Sequence, residues 1–145
     1  MAKTDEATSP TNAYEPAVLG GVTPYLMLED SAAAGAFYEK ALGAVEVARI
    51  PNPDGKGGVL HLHLHINGGS LMFTDAMPER GHPALPVQGV MLHLQVDDIE
   101  AWWKRAVAAG AEVVQPPQVM FWGDRYAQFK DAFGVTWALG SAGKG

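Results

Sequence analysis

Three histidines at alternate positions, His61, His63 and His65, are the residues of this chain whose type and spacing point most directly to chemistry. They alternate with Leu60, Leu62, Leu64 and Ile66 along Val59–Ile66. Such alternation is the pattern of a β-strand, with the imidazoles on one face and the aliphatic side chains on the other. Two imidazoles at i and i+2 lie about 6.5–7 Å apart at Cα, close enough to grip one Zn, Ni or Fe ion. The outer pair is about 13 Å apart, so all three cannot share an ion. A metal reading therefore takes His61 and His63 and needs a third ligand such as His93. The rival reading is a polar strand face bonded to neighbours or water. Imidazole also titrates near neutral pH, which makes His61 and His93 candidates for proton transfer in a dry cavity. The alternative there is a histidine that only orients a ligand.

A second constellation lies in the other half of the chain. In Gly89–Val96, Leu92, Leu94 and Val96 take one face, while Met91, His93 and Gln95 take the other. Further on, Arg125 is spaced to clamp an anion, with Phe121 and Trp122 to stack on it. The competing reading is an Asp124–Arg125 surface pair with the two aromatics in a dimer seam. Gly55, Gly57 and Gly58 lack the helix and Lys-Ser/Thr that a phosphate loop needs. There is no Gly-x-Ser-x-Gly, hence no nucleophile elbow. With no cysteine, thiolate metal sites, disulfides and cysteine nucleophiles are all excluded.

The elements that must position these residues follow from punctuation. Residues 1–19 are polar, without apolar periodicity, and read as a flexible arm. Val22–Leu28 is β-prone. Asp30 offers an N-cap, Ala33, Phe37 and Ala41 repeat at helical spacing, and Gly43 ends the helix. Ala44–Ile50, Val59–Ile66 and Ser70–Thr74 read as strands, the last two joined by an Asn67-Gly68 hairpin. In the second half, Asp97-Asp98 cap a helix whose Ile99, Trp102, Trp103 and Ala106 share a face, and Gly110 closes it. Strands follow at Glu112–Met120, interrupted by Pro116-Pro117, then Tyr126–Lys130 and Val135–Leu139. Phe37, Trp102, Trp103 and Trp137 are assigned to the core.

The halves correspond. The capping Asp30 and Asp98 are 68 residues apart, the closing Gly43 and Gly110 are 67 apart, and each glycine is followed by Ala and then Glu-Val. This describes two copies of one βαβββ unit, an α+β fold, in a chain of 145 residues, which is one domain by size. The expected division is a domain over 20–140, with module one at about 20–77, a linker at about 78–88 and module two at about 89–140. A tail occupies 141–145. A net charge of −6 with no basic patch argues against nucleic acid. No apolar run is long enough for a membrane helix and no secretory signal is present, so the expected location is cytoplasmic.

Val22-Thr-Pro-Tyr-Leu26, Phe37-Tyr38, Leu42-Gly43-Ala44, Leu60-His61, Phe121–Tyr126, Asp131-Ala-Phe-Gly134 and Trp137-Ala138 together resemble the PhnB-like branch of the vicinal oxygen chelate superfamily. That superfamily holds glyoxalase I, bleomycin-resistance proteins and extradiol dioxygenases. The resemblance covers about residues 20–140 and implies a cupped mixed sheet around a small-molecule cavity, usually in a homodimer. His61 matches a histidine of that branch. The superfamily's metal positions would fall at Thr23, Leu71 or Met72, Met91 and Ala138, and none is His, Glu or Gln. No cofactor is therefore expected, with a divalent Zn, Ni or Fe held by His61, His63 and His93 as the alternative. The ligand-binding set expected is Tyr25, His61, Met91, His93, Gln95, Phe121, Trp122 and Arg125. The function implied is small-molecule binding of the glyoxalase/bleomycin-resistance type; the alternative is a metal-dependent lyase or dioxygenase of the same superfamily.

Overall fold

The computed structural model describes residues 16–143, so the expected arm up to residue 15 and the end of the tail lie outside the described residues. The elements run β1 (Tyr25–Leu28), α1 (Ser31–Leu42), β2 (Val45–Pro51), β3 (Val59–Ile66), β4 (Gly69–Asp75), β5 (Met91–Gln95), α2 (Ile99–Ala108), β6 (Glu112–Val119), β7 (Arg125–Lys130) and β8 (Thr136–Ser141). They form two four-stranded mixed sheets of identical topology, β1-β4-β3-β2 and β5-β8-β7-β6. In each, the first strand runs parallel to the last and the other pairings are antiparallel. The internal repeat is thus realised as one βαβββ unit per sheet.

Local chemistry explains the boundaries. The Asp30 carboxylate accepts from the Ala33 N–H at the start of α1, and Asp98 accepts from Ala101 at the start of α2. Gly43 ends α1 with φ of 68°, where a side chain would be strained. α2 instead ends on Ala109 in helical conformation, and Gly110 turns the chain one residue later with φ of 107°. β1 starts only after Pro24, which has no N–H to give; its carbonyl still accepts from Met72. The Pro116-Pro117 pair does not interrupt β6. It lies on an edge strand, in a stretch where the β6–β7 register shifts, and there the missing N–H groups need no partner.

One core serves both modules. Leu62, Leu64, Leu71 and Phe73 from the first sheet and Phe129, Val135, Trp137 and Leu139 from the second join α1 and α2 in a single buried cluster. Phe37, Trp102 and Trp103 pack against it, partly buried. Tyr38 on α1 touches Phe73 of one sheet and Trp137 of the other, its ring centroid 5.9 and 5.2 Å from theirs. α1 and α2 also pack on each other, and Arg105 of α2 donates to the carbonyls of Lys40 and Glu39, capping the C-terminal end of α1. The aliphatic faces of both sheets point into this core. Their other faces, carrying the histidines, are turned away from it.

Candidate functional site

Strand register decides which side chains meet on those outward faces. In the second sheet His93, Ala138, Gln128 and Gln115 form one cross-strand row, and Gly140, Tyr126 and Gln118 lie in the next with Gln95. His93 and Tyr126 stand on strands separated by β8, too far apart for ring contact over bulky side chains. Only Ala138 and Gly140 lie between them, and the rings close to a 6.3 Å centroid separation at 18°, stacked. A Cβ on Gly140 would stand 2.9 Å from both His93 Cε1 and Gln95 Oε1, so these side chains use the space glycine leaves. His93 Nε2 and Gln95 Oε1 lie 2.9 Å apart, within hydrogen-bonding distance. Gln128 donates to the Tyr126 hydroxyl at 3.0 Å. Trp122 meets Tyr126 edge-on at 5.9 Å and Phe121 meets Trp122 at 4.8 Å.

The first sheet carries the same pair in reverse. Tyr25 occupies in β1 the place of His93 in β5, and His61 in β3 the place of Tyr126 in β7. The Tyr25 hydroxyl and His61 Nδ1 are 2.9 Å apart, with rings 5.8 Å apart. His63, expected to look into a cup or into water, is 0% exposed and 2.8 Å from Ser70 Oγ through Nε2. His65 Nε2 bonds the Ala17 carbonyl. Ser70 also binds Leu19 in both directions, N–H to Oγ and N–H to carbonyl. The chain is fixed to this sheet from Ala17 onward, ahead of the expected boundary at residue 20.

Of the expected ligand-binding set, His93, Gln95, Trp122 and Phe121 come together, and Tyr25 and His61 form a separate pair on the other sheet. Met91 lies at the far end of β5, in a cleft of about 330 Å³ that it lines with His93, Trp137, Ser70, Asn67 and Pro24. The side chain of Asn67 closes one end by donating to the Gln95 carbonyl. Arg125 is not brought to this face. Its parity is opposite to Tyr126, and it pairs with Glu100 of α2; the expected Asp124 partner accepts instead from the Gly143 N–H. Tyr126, Gln128 and Gly140 were missed by the sequence reading. The signal for Tyr126 is its shared parity with Gln128, two residues along β7.

His61, His63 and His93 do not form a ligand triad. His61 and His63 belong to one sheet and His93 to the other, and among the described residues no three His, Asp or Glu side chains are grouped to hold an ion. At the positions the resemblance points to, Met91, Met72 and Ala138 offer thioether and methyl groups, which suit neither a hard nor a borderline cation. No helix is long and apolar enough to cross a membrane among the described residues.

The model of the Glyoxalase/Bleomycin resistance protein/Dioxygenase superfamily matches residues 22–139. The uncharacterized protein Mb0911c of Mycobacterium bovis is 42% identical over 125 residues, spanning 82% of this chain and 81% of that protein. Among solved structures, protein PA1353 of Pseudomonas aeruginosa superposes with a TM-score of 0.70 at 28% identity, covering 85% of this chain and 98% of the other. The PhnB protein of Bacillus cereus gives a TM-score of 0.65 at 20% identity over 85% of this chain and all 100% of its own, a likeness of fold.

Proposed function

Since the chain belongs to the Glyoxalase/Bleomycin resistance protein/Dioxygenase superfamily, we propose that it binds a small molecule on the outward face of its second sheet. The observation that carries this is the His93–Tyr126 stack over Gly140, flanked edge-on by Trp122. A flat aromatic or heteroaromatic ring extends such a stack, and each added aromatic contact contributes about 0.5–1.5 kcal/mol beyond its buried area. Around the rings, the His93 imidazole, the Gln95 and Gln128 amides and the Tyr126 hydroxyl offer hydrogen-bond donors and acceptors. The ligand class that fits is planar, aromatic and hydrogen-bonding. Phe121, 96% exposed, lies beside Trp122 and would be covered by the ligand or by a second protomer, so we include a homodimer in this reading. No catalytic step is assigned.

The test is titration calorimetry with a panel of flat heteroaromatic compounds against the wild type and three alanine variants. His93→Ala and Tyr126→Ala should each weaken the best binder by roughly 1–3 kcal/mol, about five- to 150-fold. His61→Ala, on the other sheet, should leave it within a factor of about two. Equal affinity in the wild type and both second-sheet variants would sink the assignment.

A further inference from the structure

β5 is an edge strand of the second sheet, and its open edge borders the cleft at Met91. In the parallel ladder with β8, Val96 donates to the Gly140 carbonyl, so Leu92 and Leu94 turn their backbone groups toward β8 as well. Met91, His93 and Gln95 then direct their N–H and C=O groups to the outer edge. The Gln95 carbonyl bears this out, because it accepts from Asn67 Nδ2 at 3.0 Å. Among the described residues no other group is bonded to this edge. The opposite wall has little backbone left to pair. Pro24 has no N–H, its carbonyl is taken by Met72, and the Ser70 N–H is taken by the Leu19 carbonyl.

We infer that the ligand of the second sheet is an aromatic amino-acid residue in amide linkage, which adds to the edge of β5 as a short strand. This rests on the ring-stacking reading above and names what carries the ring. A residue opposite His93 in an antiparallel hydrogen-bonded pair exchanges two bonds with it. Its N–H donates to the His93 carbonyl, and its C=O accepts from the His93 N–H. The two side chains then share one face of the sheet, with Cβ atoms about 4.5–5.5 Å apart. Tyr126 meets the His93 ring from across β8, so an aromatic side chain arriving at the edge reaches His93 from the other side. Length limits the occupant. Asn67 takes the Gln95 position, which leaves Met91 and His93, about 6.5–7 Å apart. The cleft volume of about 330 Å³ is at the small end of the roughly 300–1,000 Å³ of ligand pockets, which suits one or two residues. Among the described residues no Asp, Glu, Lys or Arg lines it, which matches a blocked residue and not a free amino acid with two charges.

Three probes that share an indole ring test this on the full-length protein: N-acetyl-tryptophanamide, its ester analogue with oxygen in place of the α N–H, and 3-methylindole. By titration calorimetry, N-acetyl-tryptophanamide should bind about tenfold more tightly than either of the others. At saturation it should slow hydrogen exchange of the His93 backbone amide about tenfold or more, and 3-methylindole should leave that rate unchanged. Equal affinity for all three probes, with the His93 amide unprotected, would overturn strand addition and leave the ring-stacking site standing. No binding by any of the three, nor by the heteroaromatic panel, would remove both readings. Protection of the His93 amide that grows with protein concentration in the absence of probe would give the edge to a second copy and overturn the inference.

Discussion

Asp131 gathers four donors around one buried carboxylate. The Tyr38 hydroxyl and the Trp137 indole donate to Oδ2 at 2.6 and 3.0 Å, and the N–H groups of Phe133 and Val135 donate to Oδ1 at 2.9 and 3.0 Å. Tyr38 belongs to the first module and Asp131 to the second, so this carboxylate clasps the two halves through the core. Tyr38→Phe removes one donor to a charged acceptor and leaves no new orphan, a loss of about 1.5–3 kcal/mol measurable by urea unfolding. The same phenol carries a pH signature. Burial, then the Asp131 charge, then its hydrogen bond raise the Tyr38 pKa far above its ordinary value of 10.0. Below pH 10 both folded and unfolded chains keep the proton and nothing changes. Above it the unfolded chain loses the proton and the folded chain retains it, so stability falls by up to about 1.4 kcal/mol per pH unit from this group. The slope of stability against pH above 10 should be shallower by one proton in Tyr38→Phe than in the wild type. Equal slopes would mean that the phenol is not held in this way.

At the scale of elements, β8 is the one whose small residues create the site. Gly140 does not have a positive φ, so alanine is tolerated by the backbone, yet its Cβ would meet the movable tips of His93 and Gln95. Gly140→Ala should therefore lower aromatic-ligand affinity about tenfold, by about 1.4 kcal/mol, while shifting the melting temperature by no more than a few degrees. A large melting shift with unchanged affinity would instead make Gly140 a packing residue. Both helices and the Val59–Ile66 strand were legible in the sequence because capping aspartates, terminating glycines and strict alternation act locally. The pairing of His93 with Tyr126 was not legible. It depends on a diagonal register across β8 and on what glycine omits. Arg125 lies apart from this face for a simpler reason: its spacing along the chain puts it near Phe121 and Trp122, but strand parity turns it to the side opposite Tyr126. His63 shows the limit of alternation, which says that a side chain leaves the helical core and not what meets it on the other side.

The whole molecule has one core between two sheets, and the arrangement turns both histidine-bearing faces outward. Each module by itself has the topology to form half a cup, and the cleft of about 330 Å³ at Met91 is lined by residues of both modules, Pro24 and Ser70 from the first and Met91 and His93 from the second. A second copy seated on the outer strands would deepen such a site, in keeping with the homodimer proposed above. The outer strands supply apolar surface for it: Val113, Val114 and Val119 on β6, and Val45 and Ile50 on β2, are exposed, as are Phe121 and Trp122 beside the stack. Exposed apolar side chains become an interaction site where they form a contiguous patch. Light scattering should give a particle of about twice the 15.4 kDa chain at micromolar concentration. Phe121→Glu places a charge at the most exposed of these positions, so it should shift the equilibrium toward the monomer. If the seam borders the His93–Tyr126 stack, the same variant should weaken aromatic binding in step with dissociation, and raising protein concentration should restore both. A dimer unaffected by Phe121→Glu would place the seam elsewhere on the edges, and a 15 kDa particle at all concentrations would remove the dimer altogether.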